Sequence, residues 1–169
     1  MPPVRADLSS LVFDPELLSI LLDTPGPDTA CLVAANPAID DAIVRRLVYY
    51  SYPVRVELAR NPAVSREMLD ALSKDAALRA YLAQNTGHPD LLRTVYLLGR
   101  DDEVLFWLAS NPATPFEVLE WIAEDTKVHR RVMLAHQVRG PHRSSVLDIL
   151  RRDRHPKVRA ETRRAAAAV

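Results

Sequence analysis

Four of the chain's five histidines, His129, His136, His142 and His155, fall after residue 125. Imidazole binds metals and moves protons near neutral pH, so such a cluster is the first place to seek chemistry. Their spacings match no zinc pattern, and no cysteine joins them. Ser144-Ser145 follows His142, but without the glycine elbow or ordering acid that a serine nucleophile needs. The adjacent carboxylates Asp40-Asp41, Asp101-Asp102-Glu103 and Glu124-Asp125 suit proton transfer. Each falls at an expected turn, however, where a carboxylate caps a helix. The single cysteine, Cys31 in "TACLVAAN", excludes an internal disulfide and a multi-cysteine metal site. It reads as a small buried apolar residue in preference to a reactive thiol. With 4 glycines, the chain has no glycine-rich phosphate loop. An enzyme on a helical-repeat frame, like certain DNA-repair glycosylases, would need a partly buried carboxylate beside aromatic residues, and nothing in the sequence demonstrates one. The expectation is a protein with no catalytic residues, no metal and no cofactor.

Charge and aromatic clustering point instead to binding. Up to Asp125 there are 10 basic and 19 acidic residues, a net of −9; from Thr126 onward there are 12 basic and 3 acidic, a net of +9. The neutral total conceals two ends of opposite sign. Arg151, Arg152, Arg154, Lys157, Arg159, Arg163 and Arg164 form the densest basic stretch. It admits three readings: a solvated C-terminal cap, a phosphate-collecting nucleic-acid surface, or a contact with an acidic protein. The last includes head-to-tail association between the chain's own acidic and basic ends. Separately, "VYYSYPV" gathers Tyr49, Tyr50 and Tyr52. Tyrosine joins apolar area to a hydroxyl and is favoured at interfaces; partial burial between repeats is the competing reading, and the favoured one. Trp107 and Trp121 sit beside apolar columns and are expected to pack between helices.

The elements that must position these residues are legible as a repeat. "LARNPAVSREMLDALSKD" at 58–75 is nearly copied by "LASNPATPFEVLEWIAED" at 108–125. Counterparts of its first leucine fall at Leu8, Val33, Leu58, Leu82, Leu108, Leu134 and Thr162, with differences of 25, 25, 24, 26, 26 and 28. A fixed period of this size marks a repeat architecture. Four residues earlier stand Val4, Val54, Leu78, Val104 and Val158, with arginine following in Arg5, Arg55, Arg79 and Arg159. Three residues later stand Asn36, Asn61, Asn85 and Asn111, with Pro37, Pro62 and Pro112 next to three of them.

Apolar residues four apart share a helix face, and proline forces the residue before it out of helical geometry. The pattern therefore predicts a short helix ended at Asn-Pro and a second one buried through Leu69/Leu72, Leu119/Ile122 and Ile43/Leu47. Thr114 is the expected N-cap of that second helix, with Pro115 at its first position and Glu117 completing a capping box. Asp14-Pro15 repeats the cap, and Asp75, Asp125 and Asp153 are expected to close each unit. Helices this short are marginal alone, so each copy must lean on its neighbours.

These columns resemble the leucine-rich repeat variant family of bacterial proteins, most closely in "VRVELARNPAVSREMLDAL" and "VLFWLASNPATPFEVLEWIAED". The C-terminal "DRHPKVRAETRRAAA" resembles a HEAT-type repeat in Asp153, Val158 and Arg159. The resemblance implies an all-α, right-handed superhelical solenoid of short helix pairs, some of them 3₁₀, without an intrinsic catalytic site. One relative carries a cysteine cluster for an iron–sulfur centre; this chain has no counterpart, so only the fold carries over.

The expected organisation is one solenoid domain over 1–169, about six and a half repeats, with 150–169 as C-terminal cap. No apolar run approaches the roughly 20 residues that span a bilayer, and no signal peptide opens the chain. A cytoplasmic protein without membrane contact is expected. Its expected function is a non-catalytic scaffold whose curved face binds a macromolecule, a protein first, with nucleic acid at the basic end as the alternative.

Overall fold

The computed structural model describes residues 15–23 and 27–168. Leu8, Asp14 and the pair Val4-Arg5 lie outside them. Every regular element among the described residues is helical: α1 (Pro15–Leu22), α2 (Pro27–Ala35), α3 (Asp41–Leu47), α4 (Tyr52–Arg60), α5 (Arg66–Ser73), a 3₁₀ turn (Ala76–Leu78) running into α6 (Arg79–Asn85), α7 (Pro89–Leu98), α8 (Asp102–Ser110), α9 (Phe116–Ala123), α10 (Val128–Gln137), α11 (Arg143–Leu150) and α12 (Pro156–Ala167). The chain divides into two compact units, 1–74 and 75–169.

In the first unit α2 packs on α4, while α1, α3 and α5 contact in turn to form a second row. In the second unit α6, α8, α10 and α12 follow one another in one row, and α9 contacts α11 in the other. The leading apolar column supplies the first kind of row: Val33, Leu58, Leu82, Leu108, Leu134 and Thr162 are all fully buried, one in each even-numbered helix. Thr162 fits because its hydroxyl donates to the Val158 carbonyl at 2.8 Å. The later columns bury the odd-numbered helices through Ile43, Leu47, Leu69, Leu72, Leu119 and Ile122. Burying one such side chain contributes about 1.5–3 kcal/mol.

The asparagines do more than end helices. Asn61 donates its side-chain amide to the Ala34 and Asn36 carbonyls, both at 2.8 Å, and accepts from the Ala63 N–H at 2.9 Å. Asn111 repeats this with the Ala83 carbonyl at 2.8 Å, the Thr86 carbonyl at 2.9 Å and the Ala113 N–H at 2.9 Å. Both side chains are buried. They therefore supply donors to the carbonyls left open at the ends of α2 and α6.

Two local expectations are corrected. Asn85 is exposed and only reaches back to the Tyr81 carbonyl; Thr86 is the C-cap of α6, buried, with its hydroxyl accepting from the His88 N–H. Helix α6 runs one residue further past its leucine than α4 or α8 does, which places its cap 25 residues after Asn61 and 25 before Asn111. Nor does Thr114 cap α9. That helix starts at Phe116 with Pro115 at the cap position, and the buried Thr114 hydroxyl turns back to the Leu108 carbonyl at 2.7 Å. Burial decides this, because a hydroxyl without water must find an acceptor. Glu117 pairs with Arg93 instead of closing a capping box.

The carboxylates at turns do cap. Asp40 accepts from the Ile43 N–H at 2.8 Å and Asp101 from the Val104 N–H at 2.9 Å, while Asp75, Asp125 and Asp153 accept from the N–H two residues on. Gly140 turns the chain between α10 and α11 at φ 77°, and a Cβ there would meet Pro112 at 2.8 Å. Only glycine suits both conditions.

Candidate functional site

The first unit holds the tyrosines. Helix α3 ends at Leu47 and α4 begins at Tyr52, so Tyr49, Tyr50 and Tyr52 crowd the turn and the first position of α4. Their exposures are 90%, 42% and 43%. Tyr49 stands almost wholly in solvent, whereas Tyr50 and Tyr52 are each more than half covered, so partial burial describes two of the three side chains. Leu47 takes the core position, and of the three rings Tyr49 is the one that projects furthest. Cys31, on α2, is half-buried; burial, helped by Glu57 and Asp28, pushes its thiol above the ordinary value. That is the direction that suppresses thiolate reactivity.

The second unit holds the basic stretch, and its cations divide by what they touch. Arg159 donates to the Asp153 carbonyl at 2.7 Å and the Arg154 carbonyl at 3.1 Å, so it ties the 150–156 turn to α12. Arg151 pairs with Asp148 and Arg164 with Glu161, each at 2.5 Å. Arg152, Arg154, Lys157 and Arg163 are exposed and have no side-chain hydrogen bond or ion pair among the described residues.

Sequence reasoning missed the innermost arginine. Arg131 and Asp153 are paired at 2.6 and 3.1 Å, with side-chain exposures of 3% and 6%. Arg131 also donates to the Asp125 carbonyl at 2.5 Å. Its signal was present: it stands three residues before Leu134, where Arg55, Arg79 and Arg159 stand in their own copies. The neighbouring Arg130 bonds Asp102 at 2.6 Å and Asp125 at 3.0 Å, and His129 reaches the same Asp102 at 3.2 Å.

These contacts set the carboxylates' protonation. The Arg130 hydrogen bond is the main cause holding Asp102 below its usual range. Burial alone would push Asp153 and Asp125 up. Arg131 and the His155 N–H outweigh it at Asp153, and the Lys127 N–H and Arg130 outweigh it at Asp125, so both are depressed. A carboxylate locked this way is a poor proton donor at neutral pH.

The histidines do not converge. His129 faces Asp102, His136 faces Glu161 at 3.2 Å, His142 lies against Phe116, and the His155 ring accepts from the Lys157 N–H. No group of three or more metal-ligating side chains forms among the described residues. Trp121 stacks on Tyr96 at 5.2 Å and Trp107 meets Phe106 edge-on at 5.1 Å, both half-buried. No helix among the described residues is long and apolar enough to cross a membrane. No protein-family model, curated protein or solved structure matches the chain.

Proposed function

We propose that this chain is a non-catalytic helical-repeat scaffold that binds another protein, with Tyr49, Tyr50 and Tyr52 as its anchors. The observation that carries this reading is their exposure on a turn where the neighbouring Val44 and Leu47 are fully buried. An exposed aromatic cluster is what an interface uses for its energetic centre. The right-handed superhelical solenoid is part of the same proposal. It is supported by the sequence resemblance and by the 25-residue spacing of Asn36, Asn61, Thr86 and Asn111. The test is crosslinking capture with the wild-type chain and with a Tyr49→Ala, Tyr50→Ala, Tyr52→Ala variant of unchanged melting temperature. Each tyrosine that anchors a partner contributes about 2 kcal/mol, so the triple variant is expected to lose the captured protein. Capture of the same protein at wild-type yield overturns the reading.

A second reading, nucleic-acid binding at the basic C-terminal end, is favoured by one observation: the exposed side chains of Arg152, Arg154, Lys157 and Arg163 make no hydrogen bond or ion pair among the described residues. Gel-shift titration with single-stranded and duplex DNA tests it, and absence of retardation at low salt overturns it.

A further inference from the structure

Where α10, the α10–α11 turn and the end of α12 meet, an open pocket of about 390 Å³ is lined by His136, Arg139, Arg143, Ala165 and Ala168. Two guanidiniums share it, and neither has a carboxylate partner among the described residues. Arg46, Arg66, Arg93, Arg130, Arg131, Arg151 and Arg164 each have one. Arg139 is held from behind: its Nη1 donates to the His136 carbonyl at 2.8 Å and the Val138 carbonyl at 3.1 Å. Arg143 is held by its Nη2 on the Ala165 carbonyl at 2.8 Å. Those bonds satisfy carbonyls near the ends of α10 and α12. A guanidinium has five N–H donors in a rigid fork, so each arginine keeps its Nε–H and second terminal nitrogen for something else. Glu161, one helical turn before the lining residue Ala165, is engaged at both oxygens, by His136 at 3.2 Å and by Arg164 at 2.5 Å. It is therefore not free to neutralise the pair. The third polar side chain of the lining, His136, is held in place by that same contact.

We propose that this pocket is a binding site for a phosphate group. Two preorganised guanidiniums without a carboxylate partner among the described residues match the bidentate recognition of oxyanions, and backbone anchoring lowers the ordering cost of binding. The pocket has room for the oxyanion and for part of whatever carries it. The site is separate from the tyrosine turn and does not rest on the protein-scaffold reading.

The test is titration of the full chain at low ionic strength with inorganic phosphate and, separately, with O-phosphoserine, followed through arginine Nε–H resonances. Saturable shifts confined to Arg139 and Arg143 are expected. Arg139→Ala should weaken binding at least tenfold, Arg143→Lys should weaken it several-fold, and Arg152→Ala should leave it within twofold. Tighter binding of O-phosphoserine assigns the group to a phosphorylated molecule; equal or weaker binding assigns it to free phosphate. Shifts that never saturate and spread over Arg152, Arg154 and Arg163, or an Arg139→Ala variant that binds like wild type, overturn the proposal.

Discussion

Beside the apolar columns, buried polar side chains bridge successive helices, and their sequence signals differ in clarity. Asn61 and Asn111 announce themselves by standing before proline, but nothing in one copy says that the amide serves the copy before it. Asn85 looks equivalent and is not, since Thr86 takes the cap. Asn111→Ala would leave two buried carbonyls without donors, costing about 1–3 kcal/mol, whereas Asn85→Ala at its exposed site should change stability by less than about 0.5 kcal/mol. Urea unfolding of the two variants measures the contrast, and equal losses would refute it. Arg131 keeps the register of Arg55, Arg79 and Arg159, but it stands in a basic run where sequence does not show which arginine is buried. Removing it strands Asp153 in the interior, so Arg131→Ala should cost about 3–5 kcal/mol. Asp153 and Asp125 titrate below their usual range in the folded chain. Their stabilisation is full above the unfolded carboxylate value of about 3.9 and is lost as pH falls through the folded values. Melting temperature should therefore decline from roughly pH 5 downward, and less steeply in Asp153→Asn.

Among the elements, the two apolar columns were readable because each helix face has to be covered, and periodicity reports the covered face directly. Helix starts were less readable. "NPATP" offers both a threonine and a proline at the boundary, and burial of the threonine, which sequence does not display, moved the start to Phe116. Glycine at 140 is legible only as a break; its second constraint, contact with Pro112, comes from a residue 28 positions earlier. Leu108→Ala should cost about 2–5 kcal/mol as a core truncation, and the loss should spread to α6 and α10, which pack on α8. Hydrogen exchange resolves this: faster exchange in all three helices is expected, and an effect confined to α8 would contradict stacking.

For the whole molecule, composition excluded more than it identified. The charge division at residue 125 was visible in the sequence, yet the use of each cation depends on neighbours. Arg159 ties a turn, Arg151 and Arg164 answer carboxylates on their own helices, and four others face solvent. If those four contact phosphates in DNA, the logarithm of the binding constant should fall against the logarithm of salt concentration with a slope of about −3 to −4. A gel shift insensitive to salt would contradict this. The tyrosine turn was noticed by its composition, but only coordinates separate an outward ring from an inward one.

The asparagine bonds point in one direction along the chain: the acceptors at Ala34 and Asn36 come first, and the donor at Asn61 arrives 25 residues later. A growing polypeptide on the ribosome, lengthening by about 5–20 residues per second, therefore cannot close a finished helix pair until the following one has been synthesised. The carbonyls that Asn61 and Asn111 will cover therefore wait seconds open to water, and maturation at both places trails the point of growth by about 25 residues.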